Sequence, residues 1–337
     1  MPKPPLAHAL PPERAREETL QLQHSFTQIQ QSALEPSTQA AYASWVRNYE
    51  AFCASTVPAT QAWPPTSYNL GLFCVRYCRD QQRTTRSLGG ALSAFKDYSM
   101  RHGYRWLNER QSWLLERTRR GLNKLDRSAP KRKQPMTRQR LLELCSFSDP
   151  SSRVHRQYVT MSYVARDGLL RCKELLNLRR GDVTLLPDGR VSLVIRVSKM
   201  SHTAPPETIR LSNYGESSGA QFLRRYCRDI LGWDIALQSP PDHLDWFLFP
   251  SISQTGPSTF SFTHRREPRK DPFVAWIREC MRKAGHNPGD YSGHSFRSGG
   301  ATDLFTAGAS LRTIQLSGRW ASQAFLLYIR ETCWPRS

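Results

Sequence analysis

One short stretch, "DRSAPKRKQPMT" from Asp126 to Thr137, divides the chain into two parts with different hydrophobic periodicity. Its two prolines break helices, and four of its residues, Arg127, Lys131, Arg132 and Lys133, are basic. Before the break, apolar residues recur only at helical spacing. A helix start at Pro36-Ser37 precedes Tyr42, Trp45, Val46, Tyr49, Phe52 and Cys53. Further helical patterns run from Tyr68 to Arg79, from Leu88 to His102 with Leu92 and Phe95, and from Trp113 to Leu125. After the break, "RVSLVIRVSK" sets Val191, Leu193, Ile195 and Val197 at period two, between the turn "PDGR" and the segment "MSHTAPPETIRLS". That pattern predicts a strand of a small antiparallel sheet with helical segments on both sides.

The expected fold class is therefore mainly α: an all-helical domain followed by a mixed, mostly helical domain. Residues 1–35, rich in Pro, Gln and Glu and without a core-forming pattern, read as a flexible arm. The helical domain takes 36–126, the basic linker 127–136 and the mixed domain 137–337.

Charge limits the choice of partner. The chain holds 48 Lys and Arg against 28 Asp and Glu, a net +20 with a pI near 10.1. Up to Lys133 there are 20 basic against 10 acidic residues, and after it 28 against 18, so each part carries +10. Lys and Arg release condensed counterions when they neutralise phosphates, so nucleic acid is the expected partner of both parts. Lys131, Arg132 and Lys133 are candidate DNA contacts, and a solvated charge run is the alternative reading.

No apolar run reaches the roughly 20 residues of a membrane span, and "MPKPPLAHALPPERAREE" lacks the apolar core of a signal peptide. The expectation is an intracellular protein, nuclear in a eukaryote and otherwise in the cytoplasm or nucleoid, without a membrane partner. The eight cysteines are scattered among apolar neighbours with no CxxC pair, which predicts reduced structural thiols. Neither metal-site spacing nor a GxxxxGK[ST] loop occurs, so no metal and no cofactor is expected.

The residues that could carry chemistry form an ordered series. "GLLRCKELLNLRRGDV" places Arg171 three residues before Glu174, so on a helix the carboxylate would orient the guanidinium; an exposed ion pair is the plainer reading. Lys199 ends the period-two strand. Then "GHSFRSGGATDLFTAGASLRTIQLSGRWASQAFLLYIR" supplies His294, Arg297, Trp320 and Tyr328. Individually each has an ordinary reading: His102 and Arg105 repeat the His-x-x-Arg spacing, and Trp320 and Tyr328 could be core residues. The order of the whole set is what singles it out.

That order resembles the tyrosine recombinases, the phage integrase and Cre-like family, over about residues 36–330. "HSFRSGGAT", "IQLSGRW" and "YIR" look most like the recombinases of eukaryotic mobile elements of the Crypton and DIRS kinds. The resemblance implies an all-helical core-binding domain and a catalytic domain that together clamp duplex DNA, acting as a dimer on a site and a tetramer in synapsis. It also implies DNA cleavage and rejoining through a 3′-phosphotyrosyl link, without ATP or metal. Carried over by position, it assigns Arg171, Lys199, His294, Arg297, Trp320 and the nucleophile Tyr328, with Glu174 in support.

The implied chemistry suits these residue types. A phenol titrates near pH 10, so forming phenoxide at neutral pH costs about 4 kcal/mol unless a base or a positive field assists. Two arginines would supply the field at the non-bridging phosphate oxygens, His294 a base or donor, Trp320 an indole donor, and Lys199 the proton for the leaving 5′ oxygen. Only nine residues follow Tyr328, fewer than many of these recombinases use for docking on a neighbour, and the N-terminal arm could substitute. A type IB topoisomerase-like nicking-closing enzyme and a catalytically idle DNA-binding regulator are the alternatives.

Overall fold

The computed structural model describes residues 12–80, 84–126, 132–196, 205–212, 218–235, 243–254 and 260–329. Lys131 and Lys199 lie outside them. The chain forms two compact units, Met1–Pro130 and Lys131–Ser337.

The first unit is all helical: α1 Pro12–Ser32, α2 Pro36–Ala54, α3 Ser67–Asp80, α4 Leu88–Arg101 and α5 Glu109–Leu125. Its core is aromatic. Tyr49 of α2 meets Phe95 of α4 at 4.8 Å and Phe73 of α3 edge-on at 5.6 Å, with Leu70, Leu88 and Leu115 buried around them. Helix α5 starts four residues before Trp113 because Asn108 and Gln111 form a reciprocal cap, each side chain accepting the other's backbone N–H. The Asp126 carboxylate accepts from the N–H and hydroxyl of Thr85 and so ties the end of α5 to the approach of α4. Within the segment expected to be an arm, Pro12–Ser32 instead forms a helix whose described side chains are all exposed.

The outward face of α5 is basic and aromatic. Arg110, Trp113, Arg117, Arg120, Gly121 and Lys124, spaced by three and four residues, are all exposed. The Arg117 guanidinium lies 5.4 Å from the centre of the Trp113 ring.

In the second unit, α6 Arg138–Ser146, α7 Arg153–Asp167 and α8 Cys172–Leu176 precede β1 Val183–Leu185, β2 Val191–Ile195 and β3 Glu207–Leu211. These strands form an antiparallel sheet in the order β1-β2-β3, with Val183 opposite Leu193 and Ile195 opposite Glu207. Val191, Leu193 and Ile195 point into the core, as their period-two spacing predicts. Gly189, at φ +78°, makes the tight β1–β2 turn possible.

Next come α9 Gly219–Asp229, a two-stranded hairpin of β4 Ser251–Gln254 and β5 Phe260–Thr263, α10 Lys270–Lys283, α11 His294–Thr306, α12 Leu311–Ser317 and a short 3-10 turn, Gln323–Leu327. The β4–β5 hairpin has no counterpart in the sequence reading, because four-residue strands carry too few alternations to register. Among the described residues no helix is long and apolar enough to cross a membrane. Their seven cysteines are unpaired thiols.

Helix α11 runs through the middle of the second unit, and its small residues are what permit this. A Cβ on Gly299 would lie 1.8 Å from the Met136 carbonyl oxygen, and one on Gly300 would lie 2.3 Å from that of Arg166. The end of the basic linker therefore packs directly on α11, where Met136 N–H donates to Ser295 O and Met136 is fully buried. On the other side the Asp303 carboxylate joins α11 to Arg166 of α7 and caps the Arg138 N–H of α6.

Candidate active site

Three connections meet beside α11: the turn between α7 and α8, the end of α12, and the segment after the last 3-10 turn. Helix α7 ends at Gly168 and Leu169, the latter buried at φ +48°. Arg171 follows as the N-cap of α8, so it and Glu174 do not share a helix face as their spacing suggested. Instead Glu174 folds back over the helix start. Its Oε2 accepts the Arg171 backbone N–H at 2.9 Å, and its Oε1 pairs with the Arg171 guanidinium.

The Glu174 side chain is 1% exposed and serves three arginines. Besides Arg171, Oε2 lies 2.8 Å from Arg319 Nη2 and 3.9 Å from Arg297 Nη1. With Glu207 also paired to Arg319 at 3.2 Å, three guanidiniums and two carboxylates leave one net positive charge at a largely buried site, an attractor for an anion.

Arg297, one turn into α11, is 1% exposed and the largest fully buried side chain of the described residues. It donates to Leu169 O at 2.6 Å and to Gly318 O. Its Nε is buried without a hydrogen-bond partner among the described residues. Its Cζ sits 4.2 Å above the Trp320 ring and 6.0 Å from the Tyr328 ring. Burial first, then the charge of Arg171, lowers the Arg297 pKa from 12.5 to about 10, against the opposing pull of Glu174. A bound oxyanion would restore what burial takes away.

Trp320 reaches this position because Gly318 has no side chain. A Cβ there would fall 1.6 Å from Trp320 Cζ3. The Trp320 and Tyr328 rings are 5.2 Å apart. The Tyr328 carbonyl accepts hydrogen bonds from Ser298 Oγ at 2.8 Å and Thr302 Oγ1 at 3.3 Å, which anchors the tyrosine's backbone to α11. His294 is exposed in the first turn of α11. The residue before it abuts the residue after Arg171: a Cβ on Gly293 would lie 2.8 Å from Cys172 Cβ.

The structure thus brings Arg171, Glu174, Arg297, Trp320 and Tyr328 together, with His294 at the start of the same helix as Arg297. Of the basic linker residues, Arg132 is exposed and Lys133 donates to Gly289 O. Sequence reasoning missed Ser298, Thr302 and Arg319. Four-residue spacing on a helix that already held Arg297 was the available signal for the first two, and position between Gly318 and Trp320 was the signal for the third.

No protein-family model matches the chain, and no curated protein does. Solved structures do match it in shape. A lambda integrase dimer bound to a COC′ core site superposes with a TM-score of 0.61 at 16% identity, over 98% of this chain and 85% of that one. A lambda integrase tetramer bound to a Holliday junction gives 0.59 at 15%, over 98% and 85%. The Tn1549 transposon integrase in complex with transposon right end DNA gives 0.59 at 13%, over 92% and 93%. A mostly helical chain with a small antiparallel sheet, aligned with these proteins over more than nine-tenths of its length, has the tyrosine recombinase fold.

Proposed function

We propose that this protein is a DNA strand transferase of the site-specific recombinase and integrase type, cutting and rejoining duplex DNA through a 3′-phosphotyrosyl intermediate. The observation that carries the proposal is the cluster of three arginines around the buried carboxylate of Glu174, with a tyrosine 6.0 Å from the fully buried Arg297. Fold likeness alone would not assign an activity.

In this reading Tyr328 attacks the scissile phosphorus. Arg171 and Arg297 take the non-bridging oxygens, where negative charge grows in the transition state. His294 receives the phenolic proton or donates to the phosphate, and Trp320 supplies its indole N–H. Lys199 protonates the departing 5′ oxygen. The phosphotyrosyl bond keeps the energy of the broken phosphodiester, so rejoining needs no nucleotide.

Duplex DNA is the partner, bound by both parts, each of net +10, with the outward face of α5 and the linker cations Lys131, Arg132 and Lys133 as its proposed phosphate contacts. The lambda integrase dimer on a core site and tetramer on a junction support a dimer on each site and a tetramer in synapsis. The motifs around His294, Trp320 and Tyr328 support a mobile-element recombinase of the Crypton or DIRS kind, acting in the nucleus.

The test is strand exchange. Two duplexes carrying the recognised site, one of them labelled, are incubated with the protein and with excess chelator, since the arginines supply the charge. Labelled recombinant product is expected. Relaxation of a supercoiled plasmid without exchange would make the protein a nicking-closing enzyme, and DNA binding without either would make it a regulator.

A further inference from the structure

Arg319 occupies a position at which helix ends ordinarily favour glycine. Helix α12 closes with Arg319 N–H donating to Leu316 O and Trp320 N–H donating to Gln315 O, and Arg319 takes φ +56°. A side chain there carries a backbone penalty that glycine would avoid. Gly318, immediately before it, is at an ordinary φ of −87°. The arginine is therefore held where it is by its guanidinium.

That side chain is 8% exposed and its contacts all lie within the protein. Nη1 donates to Gly168 O at 3.2 Å, and Nη2 donates to Leu169 O at 3.4 Å and to Glu174 Oε2 at 2.8 Å. Nε makes no hydrogen bond but faces Glu207 Oε2 as an ion pair at 3.2 Å, at the base of the β2–β3 connection. Every nitrogen of Arg319 thus has a protein oxygen near it, whereas Arg297 keeps a buried Nε without a hydrogen-bond partner. The two arginines share a carboxylate but differ in what they leave open.

We infer that Arg319 is a positioning residue that holds Glu174 Oε2 away from Arg297 and so keeps Arg297 open for an oxyanion. Glu174 Oε2 stands 3.9 Å from Arg297 Nη1, outside hydrogen-bond range, while Arg319 at 2.8 Å and the Arg171 backbone N–H at 2.9 Å hold it. Without Arg319, a displacement of about 1 Å would bring that oxygen to hydrogen-bond distance of Arg297. A direct Glu174–Arg297 pair would then compete with the phosphate for the same guanidinium. The inference rests on the phosphate-handling reading of this site but concerns anion binding, which can be measured without DNA.

The prediction is a reversal of sign. Orthovanadate is titrated calorimetrically into the full chain and into variants, with Arg297→Lys giving the background from other cationic surfaces. Arg319→Ala is expected to weaken binding on the order of ten-fold, the scale of coupling between contacting charges. Glu174→Gln in the parent also weakens binding, because Arg171 loses its partner. Added to Arg319→Ala, the same Glu174→Gln should strengthen binding, because it removes the competitor. Arg319→Lys, which still offers a cation to Glu174, should fall between the parent and Arg319→Ala.

If Glu174→Gln weakens binding further in the Arg319→Ala background, Arg319 is only a structural strut and the inference is wrong. Should Arg319→Ala lose its melting transition, Arg319→Met, which keeps the apolar stem without the cation, takes its place and the same sign is read from Glu174→Gln on it. A parent that binds vanadate through Arg297 but exchanges no strands would overturn the recombinase reading and leave this one standing. A parent that exchanges strands without the sign reversal would overturn this one alone.

Discussion

The guanidinium of Arg297 lies 4.2 Å above the ring of Trp320, so the face of the indole bears directly on the charge of the arginine. The indole face partly compensates a charge that is otherwise 1% exposed. Such an interaction contributes about 0.5–2 kcal/mol, the upper end where both partners are dry. Trp320→Phe keeps a π face and loses only the N–H, whereas Trp320→Ala loses both. Single-turnover cleavage of a nicked duplex is expected to fall more in the alanine variant, by roughly ten-fold relative to phenylalanine at the upper end of that range. Equal rates would mean that only the indole N–H matters.

Gly299→Ala tests the packing that brings the linker's end to α11. The added methyl would meet Met136 O at 1.8 Å, a backbone atom that no side-chain rotation can move aside. Overpacking of this kind costs about 1–3 kcal/mol and more where backbone must shift. A lowered melting temperature of the second unit is expected. Gly121→Ala, on a glycine with open space around it, should leave melting unchanged or slightly raise it.

Ser298 and Thr302 hold the carbonyl of Tyr328 and not its phenol. Removing both hydroxyls, as Ser298→Ala with Thr302→Val, should cost about 1 kcal/mol per hydrogen bond. Cleavage is expected to slow while DNA affinity stays near that of the parent. An equal fall in affinity would show that the pair supports the whole unit and not the tyrosine's position.

Much of this was legible in the chain itself, and the parts that were not share a cause. The four helices of the first unit's core follow from apolar residues at helical spacing with ends within one residue, except where the Asn108–Gln111 cap moves the start of α5 from Trp113 to Glu109. The residues proposed for the site could be listed in order because their types and sequence are distinctive, and the structure brings Arg171, Glu174, Arg297, Trp320 and Tyr328 near one another. Arg319 could not, because its importance comes from Glu174, 145 positions earlier in the chain, and no local pattern links the two. The Arg171–Glu174 pair was anticipated with the wrong geometry: spacing by three also fits an N-cap folded back on its helix.

The outward face of α5 offers a test of DNA binding away from the chemistry. Removing one side chain that neutralises a phosphate should reduce the slope of log affinity against log salt by about 0.9. Arg117→Ala with Lys124→Ala is therefore expected to flatten the slope by roughly two such steps, with the melting temperature unchanged because both side chains are exposed. A slope identical to the parent's would take this face off the DNA.

Everything proposed for the site turns on Tyr328 becoming covalently joined to DNA. The measurement uses a suicide duplex whose cut end diffuses away, followed by denaturing electrophoresis of the parent and of Tyr328→Phe, which lacks only the nucleophilic oxygen. A protein–DNA adduct is expected for the parent, mapped by mass spectrometry to Tyr328, and none for Tyr328→Phe at comparable DNA affinity. An adduct that persists in Tyr328→Phe, or that maps to Tyr291 or any other residue, would remove Tyr328 from the chemistry and the proposed mechanism with it.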